Sequence, residues 1–197
     1  AMEDGTGLNK FSKLYPDRFF DVGISEEHAI GLAAGLARSA FRPVVAIYST
    51  FMQSSYDQII HDVCLQNLPV IFCLDRSGLV GPDAPTHHGL FDIAYLRHIP
   101  NLKIMAPKDP AELASMLEFA FTCNNPVAIR YPKGASSDLF TQNPPIELGK
   151  AQILKEGKDV AIISVGTMAG IALNTAKLLS NKKINAMVVN ARFIKPL

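Results

Sequence analysis

The chain alternates short apolar, β-branched runs with longer stretches whose apolar positions recur every three or four residues. The runs are FFDV (19–22), PVVAIY (43–48), PVIFCL (69–74), LKIMAP (102–107) and PVAIRY (126–131). They lack period-two alternation, as expected for strands covered on both faces of a parallel sheet. Between them, Ser25 to Ala40, Thr50 to Asn67 and Asp109 to Cys123 carry helical spacing, and Ser25 and Asp109 suit the N-cap position. Strand, helix and strand in repetition predict an α/β fold with a doubly wound, mostly parallel sheet.

The texture changes from about Tyr131 to Asp159, where Pro, Gly, Ser and Asn replace periodic apolar residues and a linker is expected. Strand (159–166), helix (167–181) and strand (184–193) then open a second α/β unit. Two strands and one helix leave apolar faces uncovered, so this piece is expected to be an incomplete domain. Internal repeats and low-complexity tracts are absent from the sequence.

Composition narrows the function classes. With 48% apolar and 19% charged residues the chain is ordinary globular material. The net charge is +1 and basic residues are scattered, so there is no electrostatic footprint for nucleic acid or an anionic membrane. Cys64, Cys73 and Cys123 lie far apart in apolar surroundings, which suits buried free thiols rather than disulfides or a zinc site. No apolar run is long enough to span a bilayer, and the first ten residues lack the basic start and apolar core of a signal peptide.

In open parallel sheets, ligands sit beyond the carboxyl ends of the strands. At those ends stand Gly23 to His28, Tyr48 to Phe51, Asp75 to Gly78 and Tyr131 to Gly134, which gathers polar and aromatic residues at one rim. Spacing alone favours Glu26 and Glu27 as a solvated helix start, where carboxylates interact well with the macrodipole. Asp83, His87 and His88 lie in a long connection, a common home of proton-shuttling histidines and equally of ordinary polar residues. No further ligand stands at metal spacing around them. Arg76 and Arg130 leave strand ends at the same rim and suit a phosphate or carboxylate, although Arg130 in isolation suits a structural ion pair better. GLAAGLA (31–37) lies inside a helix and has neither dinucleotide nor Walker spacing; small residues there suit close helix packing. Ser25, Ser49 and Ser77 match no nucleophile elbow.

Several stretches together resemble the 1-deoxy-D-xylulose-5-phosphate synthase family of the transketolase superfamily. They are GTGLNKF, RFFDVGISEEHA, PVVAIYSTFMQSSYDQIIHDVCLQNLPV, DRSGLVGPDAPTHHGLFDIAYLR, IMAPKD, RYPKG and ARFIKPL, in the family's order and nearly end to end. The resemblance implies a pyrimidine-binding domain over 1–134, a linker over 135–158 and the start of a C-terminal domain over 159–197. It also implies that the family's diphosphate- and magnesium-binding domain is not in this chain, which is therefore expected to be inactive alone. Thiamine diphosphate with Mg2+ is the implied cofactor, and pyruvate and glyceraldehyde 3-phosphate are the implied substrates. A homodimer, a place in isoprenoid precursor supply, and the bacterial cytoplasm or plastid stroma follow from the same likeness.

Residue by residue, Glu26 matches the glutamate that hydrogen-bonds the aminopyrimidine ring and so supports acid–base catalysis. Phe51 matches the aromatic packed on that ring, and Tyr48 lies beside it. Arg76 and Arg130 match residues that hold the aldehyde's phosphate, and Tyr48, Asp83 and His87 line the substrate pocket, with His87 a candidate for proton transfer. His88 matches nothing assigned. Two positions depart from the family: Glu27 replaces a common Gln and Ser54 a common Arg. A nearby Glu27 charge would raise the pKa of Glu26, but Glu27 is expected to face solvent. The alternatives are a transketolase, a 2-oxo-acid dehydrogenase β-type subunit, and a non-catalytic paralogue or assembly subunit.

Overall fold

Every apolar run except the first contains a strand. The computed structural model describes residues 3–83, 85–134 and 144–197. Its strands are β1 (Val44–Tyr48), β2 (Ile71–Asp75), β3 (Lys103–Met105), β4 (Val127–Arg130), β5 (Gln152–Lys155), β6 (Val160–Ser164), β7 (Ala186–Asn190) and β8 (Phe193–Lys195). Its α-helices are α1 (Glu3–Thr6), α2 (Asn9–Leu14), α3 (Glu26–Arg38), α4 (Tyr56–Gln58), α5 (Asp92–Leu96), α6 (Pro110–Thr122) and α7 (Met168–Ser180).

The chain forms two compact units, Ala1–Leu102 with Cys123–Lys133, and Lys103–Thr122 with Gly134–Leu197. In the first, β1 pairs parallel with β2 and β2 parallel with β4, Val44 opposite Ile71 and Ile71 opposite Val127. All five residues of β2 are buried, as its unbroken apolar run requires of a central parallel strand. Helix α3 buries Ile30, Ala33, Ala34 and Ala37, one stripe at helical spacing. Gly31 and Gly35 lie on its other side, where an added Cβ would meet nothing.

FFDV forms no strand. The Asp21 carboxylate accepts the Gly23 N–H at 2.8 Å, and Gly23 takes φ +68°, so a local side-chain bond turns the backbone away from any ladder. The stretch expected as one helix over 50–67 is a 3-10 turn (Phe51–Ser55), then α4, then a π turn (Ile59–Cys64). The Ser54 and Ser55 hydroxyls donate to the Phe51 and Met52 carbonyls three residues back, which fits the tighter start. Met52, Ser55, Ile59 and Val63 still form one buried face, which is why helical spacing was visible.

In the second unit β6 and β7 run parallel and β5 joins β7 antiparallel; α7 packs Ala172 and Ala176 against Ala186 and Val188. Strand β5 falls inside the expected linker. It is a four-residue edge strand, too short to imprint a clear apolar pattern. Strands β3 and β8 pair antiparallel, and Phe119 of α6 meets Phe193 edge to face at 6.0 Å.

Glu112 of α6, fully buried, is the hub of this unit. It accepts from Arg192 Nε at 2.8 Å, from Asn190 Nδ2 at 3.0 Å and from the Lys108 N–H at 2.8 Å, with Lys108 Nζ at 3.2 Å. Asp109 caps α6 as its type predicts, accepting the Glu112 N–H at 2.8 Å. Cys64, Cys73 and Cys123 are buried thiols that form no disulfide, as expected. Burial pushes the Cys73 thiol up to about 12, so it stays protonated and unreactive. Among the described residues, no helix is long and apolar enough to cross a membrane.

Candidate active site

The end of β1 supplies an aromatic wall in the first unit. Tyr48 is 3% exposed, and its ring stacks on Phe51 at 5.4 Å between centroids with 21° between planes. His87 sets its ring against the Phe51 ring at 5.3 Å. Phe51 and Tyr48 line a cleft of about 380 Å3 together with Thr6, Ile24, Glu26 and Ser54. Glu26 opens α3 behind Ser25, whose hydroxyl makes no capping bond. Its carboxylate is half-buried, and among the described residues no hydrogen bond or ion pair engages it. Glu27 is exposed. The cleft thus combines an apolar wall with one uncommitted carboxylate.

The end of β2 supplies charge. Asp75 is followed by Arg76 at φ +60°, a turn fixed by the Arg76 N–H donating to Asp75 Oδ1 at 2.6 Å. The Arg76 guanidinium lies over the Tyr48 ring. Its Nη1 donates to Asp75 Oδ2 at 2.5 Å and to the Gly5 carbonyl at 3.0 Å, and its Nε to Asp83 Oδ2 at 3.1 Å. Lys133 Nζ donates to both Asp83 oxygens at 2.7 Å. Hydrogen bonds from Lys133, then Arg76, hold the Asp83 carboxyl below the usual carboxylate range. Burial outweighs Arg76 at Asp75 and raises that carboxyl, and burial likewise raises the Tyr48 phenol.

The end of β4 supplies Arg130, whose Nε donates to Asp92 Oδ2 at 2.8 Å. Ser77 Oγ donates to the same oxygen at 2.8 Å. Between β2 and Asp92 the chain loops out and returns at Gly89, which bridges Ser77 and Gly78. A Cβ on Gly89 would run into the Arg76 carbonyl and the Ser49 side chain, so only glycine closes the loop this tightly. Within it His88 Nδ1 accepts the Val80 N–H at 3.2 Å, a structural duty, while His87 Nδ1 bonds the Thr86 hydroxyl at 3.0 Å.

Glu26, Tyr48 and Phe51 thus meet in one cleft, with His87 against Phe51 and Arg76 against Tyr48. Arg130 makes the ion pair that its isolated position suggested, while Arg76 is tied to two carboxylates. Ser54 lines the cleft and returns its hydroxyl to the Phe51 carbonyl at 3.1 Å. Asp92 and Lys133 were not singled out from the sequence. Asp92 begins a short helix just after the loop, and Lys133 sits in the YPKG turn after β4; a polar residue at a strand-end turn was the available signal. Among the described residues no group of three or more His, Cys, Asp or Glu could hold a metal ion.

The sequence model of the transketolase pyrimidine-binding domain matches residues 1–137. The chain belongs to this family. The transketolase C-terminal domain matches residues 149–197 of this transketolase-family chain. Over its whole length it is 57% identical to 1-deoxy-D-xylulose-5-phosphate synthase 1 of Geobacter sulfurreducens and 58% identical to the synthase of Natranaerobius thermophilus. It spans 31% and 32% of those relatives. Among solved structures, a split-gene transketolase described as an inactive β4 tetramer is 30% identical with a TM-score of 0.89, covering all of this chain and 63% of that one. The transketolase of Campylobacter jejuni, 22% identical with a TM-score of 0.77 over 89% of this chain and 28% of that one, shares the fold.

Proposed function

We propose that this chain is the pyrimidine-side part of a thiamine-diphosphate-dependent 1-deoxy-D-xylulose-5-phosphate synthase. The complete enzyme would decarboxylate pyruvate and join the two-carbon unit to glyceraldehyde 3-phosphate, feeding isoprenoid precursors in a bacterial cytoplasm or plastid stroma. The observation that carries this reading is the meeting of an unengaged Glu26 carboxylate with the Phe51 and Tyr48 rings in one cleft. Identity of 55–58% to named synthases supports it over a transketolase or a 2-oxo-acid dehydrogenase β-type subunit.

The cleft's volume and lining fit an aminopyrimidine: an apolar face for the ring and a carboxyl group for a ring nitrogen. Bound thiamine diphosphate would supply the carbon acid that carries the two-carbon unit. Glu26 would hold a proton at the ring nitrogen and so favour the tautomer that acts as base. Phe51 would fix the ring's tilt, with Tyr48 behind it. His87 would hydrogen-bond the reacting oxygens or pass a proton as the aldehyde is joined, with Asp83 and Tyr48 shaping that pocket. Arg76 and Arg130 would bind the aldehyde's phosphate. The described residues offer no magnesium site. Mg2+ and the diphosphate would be held by a part of the complete enzyme outside these residues. A homodimer is the assembly this reading favours, and the inactive tetramer reported for the split-gene relative supports inactivity of this chain by itself.

In the assembled enzyme, Glu26→Ala is expected to cut turnover by about 100-fold or more with unfolding unchanged. Undiminished turnover would favour a non-catalytic assembly subunit. Product analysis with pyruvate plus aldehyde, against ketose donors, separates the synthase from the other enzymes.

A further inference from the structure

Asp92 is 1% exposed, a buried carboxylate beside the rim. Its Oδ1 accepts the Ile93 N–H at 2.8 Å, and its Oδ2 accepts from Ser77 Oγ and from Arg130 Nε, each at 2.8 Å. The carboxylate is therefore fixed from three directions and cannot follow the arginine. A guanidinium offers a fork of terminal nitrogens besides its Nε, and bidentate recognition uses two parallel N–H groups. With Nε committed, the orientation of the Arg130 guanidinium is restrained by Asp92. Among the described residues, Nη1 and Nη2 of Arg130 engage no partner. Arg76 contrasts with it: Nε and Nη1 are both taken by carboxylates, and its face is covered by Tyr48.

We propose that Asp92 is a positioning residue that aims the terminal fork of Arg130 at the phosphate monoester of the aldehyde, so that Arg130 reaches the phosphate in a fixed orientation beside Arg76. This rests on the reading of the rim as an aldehyde-phosphate site. A buried ion pair serving the fold alone would affect all substrates alike; a positioning role affects only the phosphorylated one.

The test compares kcat/KM for glyceraldehyde 3-phosphate with that for unphosphorylated glyceraldehyde in the assembled enzyme. Asp92→Asn keeps the shape and the Ile93 contact but removes the charge. It should lower the ratio by about tenfold, the loss expected of one charge-assisted bond, with the KM for pyruvate changed by less than about twofold. Arg130→Ala should collapse the same ratio, and adding Asp92→Asn to it should do nothing more. An equal fall for both aldehydes, or an unmoved ratio beside a collapsed Arg130→Ala ratio, overturns the positioning role alone. A ratio untouched by Arg130→Ala overturns the phosphate-site reading itself. Should Asp92→Asn not fold, Ser77→Ala loosens the same carboxylate and should lower the ratio about threefold, an unmoved ratio again overturning the proposal.

Discussion

The Arg76 guanidinium carbon lies 3.7 Å from the centroid of the Tyr48 ring, so the cation that organises the β2 end rests on the aromatic that ends β1. Both groups are nearly excluded from water, where such a contact gains strength. Tyr48→Leu keeps apolar bulk and loses the π face, and should lower stability by about 1–2 kcal/mol in urea unfolding. Tyr48→Phe keeps the face and should unfold within about 0.5 kcal/mol of the parent.

Gly89 gives the loop no room for a side chain. Gly89→Ala should destabilise by about 1–3 kcal/mol, the usual range for forcing an extra carbon into a packed site. Gly31→Ala is the control, since its Cβ enters open space on an exposed helix face; it should stabilise by up to about 1 kcal/mol. Thermal unfolding of the two variants should therefore shift in opposite directions.

Glu112 accepts bonds from two buried cations, the Asn190 side-chain amide and the Lys108 N–H, and truncating it removes the carboxylate that the two cations share. Glu112→Ala should cost about 3–5 kcal/mol, measured by denaturant unfolding. Glu112→Leu with Arg192→Met and Lys108→Met, replacing the network with apolar side chains, should recover much of that loss.

Asp83 gives the acid limb a sign. Its folded carboxyl titrates below the ordinary carboxylate value because Lys133 and Arg76 bond the ionised form. As pH falls, the unfolded chain takes up the proton first. The contribution is therefore complete above the ordinary value and is lost as pH falls through the lowered folded one. Asp83→Asn should flatten stability against pH in that acidic window and leave the slope at neutral pH alone. A carboxyl-carbon NMR titration of Asp83 reads the lowered value directly.

What the sequence disclosed follows from how far each signal reaches. β2 was legible because burial on both faces demands an unbroken apolar run, and α3 because one stripe at helical spacing survives any tertiary context. FFDV has a strand's composition but forms none, because Asp21 spends its side chain on the Gly23 N–H, a bond that composition does not announce. The cleft was legible only through family resemblance: spacing alone left Glu26 as a solvated helix start. Asp92 was not legible at all, because its meaning lies in Ser77 and Arg130, distant along the chain and joined only by the sheet.

The rim pairs each cation with a carboxylate: Arg76 with Asp75, Lys133 with Asp83, and Arg130 with Asp92. Locally the positive and negative charges cancel, so the mouth of the site projects little field into solvent. A phosphorylated substrate would be captured by short-range fit after chance encounter, not drawn in from a distance. Its association rate should therefore vary little with ionic strength, whereas an entrance lined by unpaired cations would lose speed steeply as salt is added.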